Sequence, residues 1–206
     1  DKYLEVKSSI SLSAPGLQNM MMIDACWLIN GKGEIHMVLH VRRDVEFPEL
    51  PRFGLRLFLP ERMNQVTYYG MGPGESYVDK HQASWHGLFE SHVENMHEDY
   101  IRPQENGSHA DCDFVIVNDA HGKLKLTACS KTSFSFNASN YSQEELTKKA
   151  HNYELEPDGH TILNLDYKQN GIGSASCGPR LSGQYRFDEE SFSYDLFLIP
   201  EIQDQI

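Results

Sequence analysis

Apolar and polar residues alternate along most of this 206-residue chain, and that two-residue period is the signature of strands that bury one face. In YLEVKSSISLS, residues 3–13, Leu4, Val6, Ser8, Ile10 and Leu12 share one face. Ile23 to Asn30 and Glu34 to Arg43 flank a short Gly31-Lys32-Gly33 connection, which predicts a hairpin. Cys112 to Asp119 and Lys123 to Cys129 flank Ala120-His121-Gly122 in the same way. Arg52 to Leu59 and Gln65 to Gly70 read as a further adjacent pair, and Lys131 to Ala138 as a separate strand. Three closing strands are expected in HTILNLDY, LSGQYRF and SFSYDLFLI, starting at His160, Leu181 and Ser191. One helix interrupts the pattern. Ser142 with Glu145 three residues later spells a capping box, and Lys148 and Lys149 suit the negative end of the helix dipole. The expected fold is therefore all-β: an antiparallel sandwich of ten to twelve strands with one short helix, spanning residues 1–206 as a single domain.

The alternation stops between Gly70 and His109, where Gly, His, Pro and acidic residues dominate. A loop of this length inside a compact domain usually carries function or an interface. It opens with YGMGPGESYVD, which sets Glu75, Tyr77 and Asp79 beside three glycines and Pro73. Glycine permits positive φ and proline presets a turn, so the composition fits either a structural turn or a site or interface loop. It lacks the Lys-Ser/Thr of a phosphate loop. The second stretch is YIRPQENG, Tyr100 to Gly107. Here Arg102 is placed to pair with Glu105, and Asn106-Gly107 marks a turn. The third, Asn164 to Pro179, runs from a strand into small residues around Ser176 and Cys177, which allow close backbone approach.

Chemistry can be tested on the same residues. Glycoside hydrolysis needs two carboxylates roughly 5–9 Å apart. Glu75, Asp79, Glu98, Asp99 and Glu105 all fall in one region, but sequence does not say which of them converge. There is no GxSxG elbow and no HExxH motif, so no metal site is assigned among the ten histidines. A net charge of −12 without a basic cluster argues against nucleic acid and anionic membranes as partners. No apolar run reaches the ~18 residues of a membrane helix, and no signal-peptide pattern opens the chain. Cys26, Cys112, Cys129 and Cys177 form no CxxC pair and are expected as reduced thiols, which points to the cytoplasm. The chain starts at Asp1, which reads as processing or excision from a longer polypeptide.

Taken in order, YYGMGPGESYVDKH, YIRPQENGSH, FNASNYSQEEL, LNLDYKQNGIGS and the closing YDLFLIP resemble the C-terminal domain of β-galactosidases of glycoside hydrolase family 2. The resemblance covers about residues 50–200. It implies a β-supersandwich of the galactose mutarotase type, forming most or part of that domain, with the catalytic glutamates in a separate barrel outside this chain. No residue here is then catalytic, and Glu75, Tyr77, Asp79, Arg102, Glu105 and Asn106 support the loop or an interface. The family's magnesium and sodium belong largely to other domains, so no cofactor is expected in this chain. The expected partners are the remaining domains or subunit of the enzyme, and galactosides. The family places a tryptophan near the sugar in the loop after the glycines. The nearest match here is Cys177 beside Ser176; neither offers an aromatic face, so the resemblance implies substrate binding by Ser176 and Cys177 through a smaller and weaker contact. Two other functions are set beside this one. One is an autonomous galactoside-binding sandwich using Trp27 or Trp85. The other is a mutarotase-type epimerase using His81, His86, His92 or His97 with a carboxylate.

Overall fold

The computed structural model describes residues 2–16, 18–173 and 180–203. Ten strands and one α-helix follow one another as β1 (Tyr3–Ser13), β2 (Asn19–Asn30), β3 (Ile35–Arg43), β4 (Arg52–Pro60), β5 (Gln65–Gly72), β6 (Trp85–His92), β7 (Ser108–Asn118), β8 (Leu124–Ser139), α1 (Gln143–Lys148), β9 (His160–Gln169) and β10 (Ser191–Ile202). Short 3-10 turns lie at Val93–Met96, Asn152–Glu154 and Gly183–Tyr185. The strands run in the order β1-β2-β3-β10-β8-β7-β5-β6, and β9 joins β8 to β4 beside this path. Every pairing is antiparallel.

The sheet divides at β8, whose sixteen residues belong to two neighbourhoods. Leu124 to Cys129 pair with β10, and Ser135 to Ser139 pair with β9. The β4–β9 branch lies over the β2–β3–β10 branch. Phe53 meets Phe192 edge-on at 5.0 Å, and Tyr167 stacks on Phe192 at 4.7 Å. Leu163, Leu165, Met37 and Leu196 are fully buried between the branches. Each such side chain contributes roughly 1.5–3 kcal/mol by leaving water. A second aromatic group packs Tyr68 against Phe89, His109 and Phe136.

The two predicted hairpins form, and the all-β class holds. Five local expectations do not. β4 pairs with β9 rather than with β5, so the second adjacent pair is a false neighbour. Lys123–Cys129 and Lys131–Ala138 are one continuous strand. LSGQYRF is no strand; it holds the 3-10 turn at Gly183–Tyr185, whose N–H groups bond within the turn instead of to a neighbouring strand. The long irregular segment contains β6, which pairs with β5 from Gln65 to Gly72. Only half of the capping box forms. The Ser142 hydroxyl accepts the Glu145 N–H, but the Glu145 carboxylate turns to the Glu156 N–H at 3.0 Å.

Candidate functional site

Tyr77 and Asp79, just beyond β5, face the loop before β7 on one side and the end of β9 on the other. The Asp79 carboxylate accepts the backbone N–H of Ile172 at 3.0 Å and of Gly173 at 3.1 Å. A side chain at Gly171 would overlap that carboxylate. Glycine is thus required there by close approach, and the segment leaving β9 is fixed at its first residues. Ser176 and Cys177, which that segment leads into, lie outside the described residues.

Glu75 is a buried carboxylate with three donors. It accepts the Lys80 ammonium, the Tyr100 hydroxyl and the Gly107 N–H, the last at 2.8 Å. Lys80 is half-exposed, and its proton is held above the ordinary range by Glu75 and Tyr100 against the cost of burial. The YGMGPGESYVD stretch is thereby tied to YIRPQENG. Asn106 turns inward, accepting the Glu98 N–H at 3.0 Å and donating to the Gln104 carbonyl at 2.9 Å. The Tyr77 hydroxyl accepts the Ser108 N–H at 3.4 Å, and burial pushes its proton well above the phenol range.

The expected Arg102–Glu105 pair does not form. Arg102 is exposed, and Glu105 instead receives Arg52, the first residue of β4, at 2.8 Å. Arg52 also forks onto Asp166 of β9, through both Nε and a terminal nitrogen. Asp166 takes a further bond from Gln169 at 2.8 Å. Burial pushes the Asp166 and Glu105 carboxyls upward, and the Arg52 guanidinium opposes this for both. Three chain regions thus meet through one guanidinium: β4, β9 and the loop before β7. Sequence reasoning missed Arg52 and Asp166. The available signal was ILNLDY, where a lone carboxylate in a strand buried on both faces demands a cation.

Two of the three glycines of the first motif, Gly70 and Gly72, serve packing rather than positive φ, while a Cβ at Gly74 would meet open space. Gly70 lies against Cys112, and Gly72 lies under Tyr68 and Phe89, where a Cβ would overlap them. Positive φ occurs at other glycines, Gly107 among them.

Tyr77 and Gln169 form a wall shared by two clefts. One, of about 380 Å³, is lined by Arg52, Glu105, Gln104, Gly171 and Ile172. The other, of about 310 Å³, is lined by His81, Asp111, Tyr167, Tyr185 and Arg186. Both are at the lower end of small-ligand pocket sizes, roughly 300–1,000 Å³. The carboxylates suspected of chemistry are held in separate bonds: Asp79 to backbone N–H groups, Glu75 to Lys80 and Tyr100, Glu105 to Arg52. The loop histidines are also dispersed. His81 bonds the Tyr77 carbonyl, His86 the Asp111 carbonyl and His97 the Asn152 side chain, and His92 is exposed at the end of β6. Trp27 is half-buried against the core, and Trp85 is exposed with its ring edge on Phe89. Cys26, Cys112 and Cys129 are free thiols. No helix among the described residues is long and apolar enough to cross a membrane.

An all-β sandwich whose loops are cross-linked by buried carboxylates defines the class of domain, and comparison with known proteins supplies the family. Residues 2–198 match the model of the beta galactosidase small chain, and the chain belongs to that family. It is 42% identical over 194 residues to a beta-galactosidase of Actinobacillus pleuropneumoniae, covering 94% of this chain and 18% of that protein. To a beta-galactosidase of Staphylococcus xylosus it is 43% identical over 172 residues, covering 82% of this chain and 17% of that protein. A Kluyveromyces lactis beta-galactosidase is 36% identical over 153 residues, 73% of this chain and 14% of that protein. The chain therefore spans less than a fifth of the length of these relatives. Among solved structures, a GalM/aldose epimerase homologue from C. elegans aligns with a TM-score of 0.44 at 8% identity, over 98% of this chain and 69% of that one.

Proposed function

We propose that residues 1–206 act as one non-catalytic domain, most or part of the C-terminal β-domain of a family 2 β-galactosidase. On this reading it helps complete the galactoside-binding site and supports assembly of the enzyme. The observation that carries it is the Asp79 clamp on Ile172 and Gly173. The clamp fixes the base of the segment that leads to Ser176 and Cys177, which we assign to the rim of the sugar site. Glu75, Tyr77, Arg52, Glu105 and Asn106 then hold the clamp in place, and none of them transfers a proton to substrate. Family membership and the short span of the chain within its relatives support a role inside a larger enzyme. The catalytic carboxylates, and any magnesium or sodium, belong under this reading to the remaining polypeptide. The compartment is the cytoplasm, and lactose-like galactosides are the substrates.

The test is hydrolysis of nitrophenyl-galactoside by this chain alone and after mixing with a polypeptide that carries the rest of the enzyme. Silence alone with activity on mixing is expected. Hydrolysis by the chain alone would overturn the non-catalytic assignment.

A further inference from the structure

The cleft of about 310 Å³ beside the start of β7, the end of β9 and the Gly183–Tyr185 turn carries charged groups that the loop-supporting bonds leave unused. Arg186, Lys168 and His81 line it, and Asp111 is its one acid. In a chain of net charge −12, three basic side chains around one hollow run against the field of the whole molecule.

Arg186 is the unusual member. Three described arginines are drawn in from solvent: Arg43, Arg52 and Arg186. Arg43 gives its terminal nitrogens to the carbonyls of Phe47, Pro48 and Asp188, and Arg52 gives its own to Glu105 and Asp166. Arg186 donates through Nε to the Leu181 carbonyl at 2.7 Å, and neither terminal nitrogen has a partner among the described residues. Its backbone is nevertheless pinned. The Arg186 N–H closes the turn on the Gly183 carbonyl at 3.2 Å, and the next residue, Phe187, is buried in the core with its N–H on the Asn170 side chain at 2.6 Å. A half-buried guanidinium fixed at one nitrogen and open at two is pre-organised for a forked, charged acceptor. His81 uses Nδ1 on the Tyr77 carbonyl at 3.0 Å, which leaves Nε2 open. Lys168 bonds Glu189 at 2.9 Å and has further ammonium protons to give.

The acid sets the other end of the ligand. Asp111 is the described non-glycine residue with positive φ, at 51°, within the irregular register of β7 between His109 and Cys112. Its carbonyl is bonded by His86 at 2.9 Å. Its carboxylate holds only a long bond from the Ser133 hydroxyl at 3.4 Å, so most of its acceptor capacity is unused. A bare anion in this cleft faces the repulsion of that carboxylate. A ligand that sets its charge at Arg186 and its hydroxyls at Asp111 satisfies both ends. We propose that the cleft binds a monosaccharide phosphate, with the phosphate on Arg186, Lys168 and His81 and ring hydroxyls on Asp111 and Ser133. Its volume suits one sugar ring rather than an oligosaccharide. The inference needs neither the Asp79 clamp nor a role in galactoside hydrolysis.

The test is isothermal titration of the assembled enzyme that contains this chain with glucose 6-phosphate, inorganic phosphate and glucose in turn. Glucose 6-phosphate is expected to bind at least about tenfold more tightly than either of the others. Arg186→Met lowers that affinity at least about tenfold, and Arg186→Lys recovers only part of it, because an ammonium lacks the fork. Asp111→Asn keeps a residue type that tolerates positive φ and removes the repulsion, so inorganic phosphate binds more tightly and the preference for the sugar phosphate narrows. That gain stays readable where the Arg186 variants fail to fold. No heat from glucose 6-phosphate up to about 10 mM overturns the proposal, as does equal affinity for glucose 6-phosphate and inorganic phosphate. Binding that survives Arg186→Met in the folded variant, or a phosphate affinity that Asp111→Asn leaves unchanged, also overturns it, by placing the ligand elsewhere. Galactoside hydrolysis is not the readout, so the failure of this inference and the failure of the functional one are seen separately.

Discussion

The Asp79 carboxylate accepts the Ile172 N–H at 3.0 Å across 93 residues of sequence, and this bond joins the glycine-rich motif after β5 to the segment leaving β9. Gly173 adds a second N–H at 3.1 Å. Hydrogen bonds to a charged group contribute roughly 1.5–3 kcal/mol each. Asp79→Ala removes both while leaving the core untouched. In the reconstituted enzyme we expect KM for nitrophenyl-galactoside to rise about tenfold, the effect of a loss near 1.4 kcal/mol. Gly171→Ala pushes a methyl group into the same carboxylate and moves KM in the same direction. Steady-state kinetics with unchanged KM for both variants would detach the clamp from the sugar site.

Arg52 and Asp166 make the second long-range link. Asp166 is 3% exposed at its side chain and Arg52 20%. Removing one partner of a buried ion pair leaves an uncompensated charge and costs roughly 3–5 kcal/mol. Arg52→Met is expected to destabilise the chain by about that amount in urea titrations at pH 7. Adding Asp166→Asn returns at least ~1 kcal/mol of it. Burial already raises the Asp166 carboxyl, and loss of Arg52 raises it further. A carboxyl raised in the folded state favours folding below its unfolded pKa and loses that contribution as pH rises through the folded value. The cost of Arg52→Met therefore shrinks on acidification. A cost independent of pH, or additive single variants, would contradict the pairing.

Glu75 and Lys80 are unequal partners in one ion pair. Glu75 is 4% exposed at its side chain and serves three donors, whereas Lys80 is 50% exposed. Glu75→Ala strands the Gly107 N–H and the Tyr100 hydroxyl and is expected to cost about 3 kcal/mol. Lys80→Ala returns one half-exposed ammonium to water and leaves Glu75 two donors, so it costs less than half as much. Equal losses in chemical denaturation would show that the ion pair, rather than the loop bonds to Glu75, stabilises this region.

The parts of the fold that were legible in the sequence are those in which short-range signals decide. Gly31-Lys32-Gly33 and Ala120-His121-Gly122 close hairpins that the structure contains. β4 was misplaced because its neighbour β9 is about a hundred residues away, and alternation records which face is buried but not which strand lies alongside. β6 escapes the sequence because its exposed face carries Leu88 and its half-buried face carries Gly87 and Ser91, so apolar and polar residues do not alternate although burial does. Glycine and carboxylate spacing marks the Glu75 loop as irregular, but does not name the Lys80, Tyr100 and Gly107 donors that Glu75 receives. Arg52 and Asp166, 114 residues apart, were not legible, since nothing local in RFGLRLFL announces a partner in another strand. The exposed face of β1 shows the converse. Its alternation predicted a strand correctly, yet the surface that should bury Leu4 and Ile10 is not among the described residues.

His109 gives the chain a defined acid limit. It is 2% exposed, packed against Tyr68 at 4.5 Å and Phe136 at 5.2 Å. Its Nδ1 lies 3.1 Å from the Met71 carbonyl, which can only accept, so the neutral ring carries its proton on Nδ1. Burial lowers the pKa from 6.5 to about 4, opposed by the Met71 carbonyl and the charge of Glu75. Between these values the unfolded chain binds a proton that the folded chain excludes. The stability carried by neutral His109 is thus fully present above pH 6.5 and is lost as pH falls to about 4, a change of about 3 kcal/mol. The buried carboxyls of Asp166 and Glu105 act with the opposite sign, so the total pH profile mixes the two. The difference between the unsubstituted chain and His109→Gln isolates the histidine, because Gln retains a donor for Met71 but does not titrate. Urea midpoints at pH 7 and pH 4.5 should converge for the two proteins on acidification. Parallel profiles, or a His109 ring that protonates near pH 6.5 by NMR, would place this histidine in contact with water.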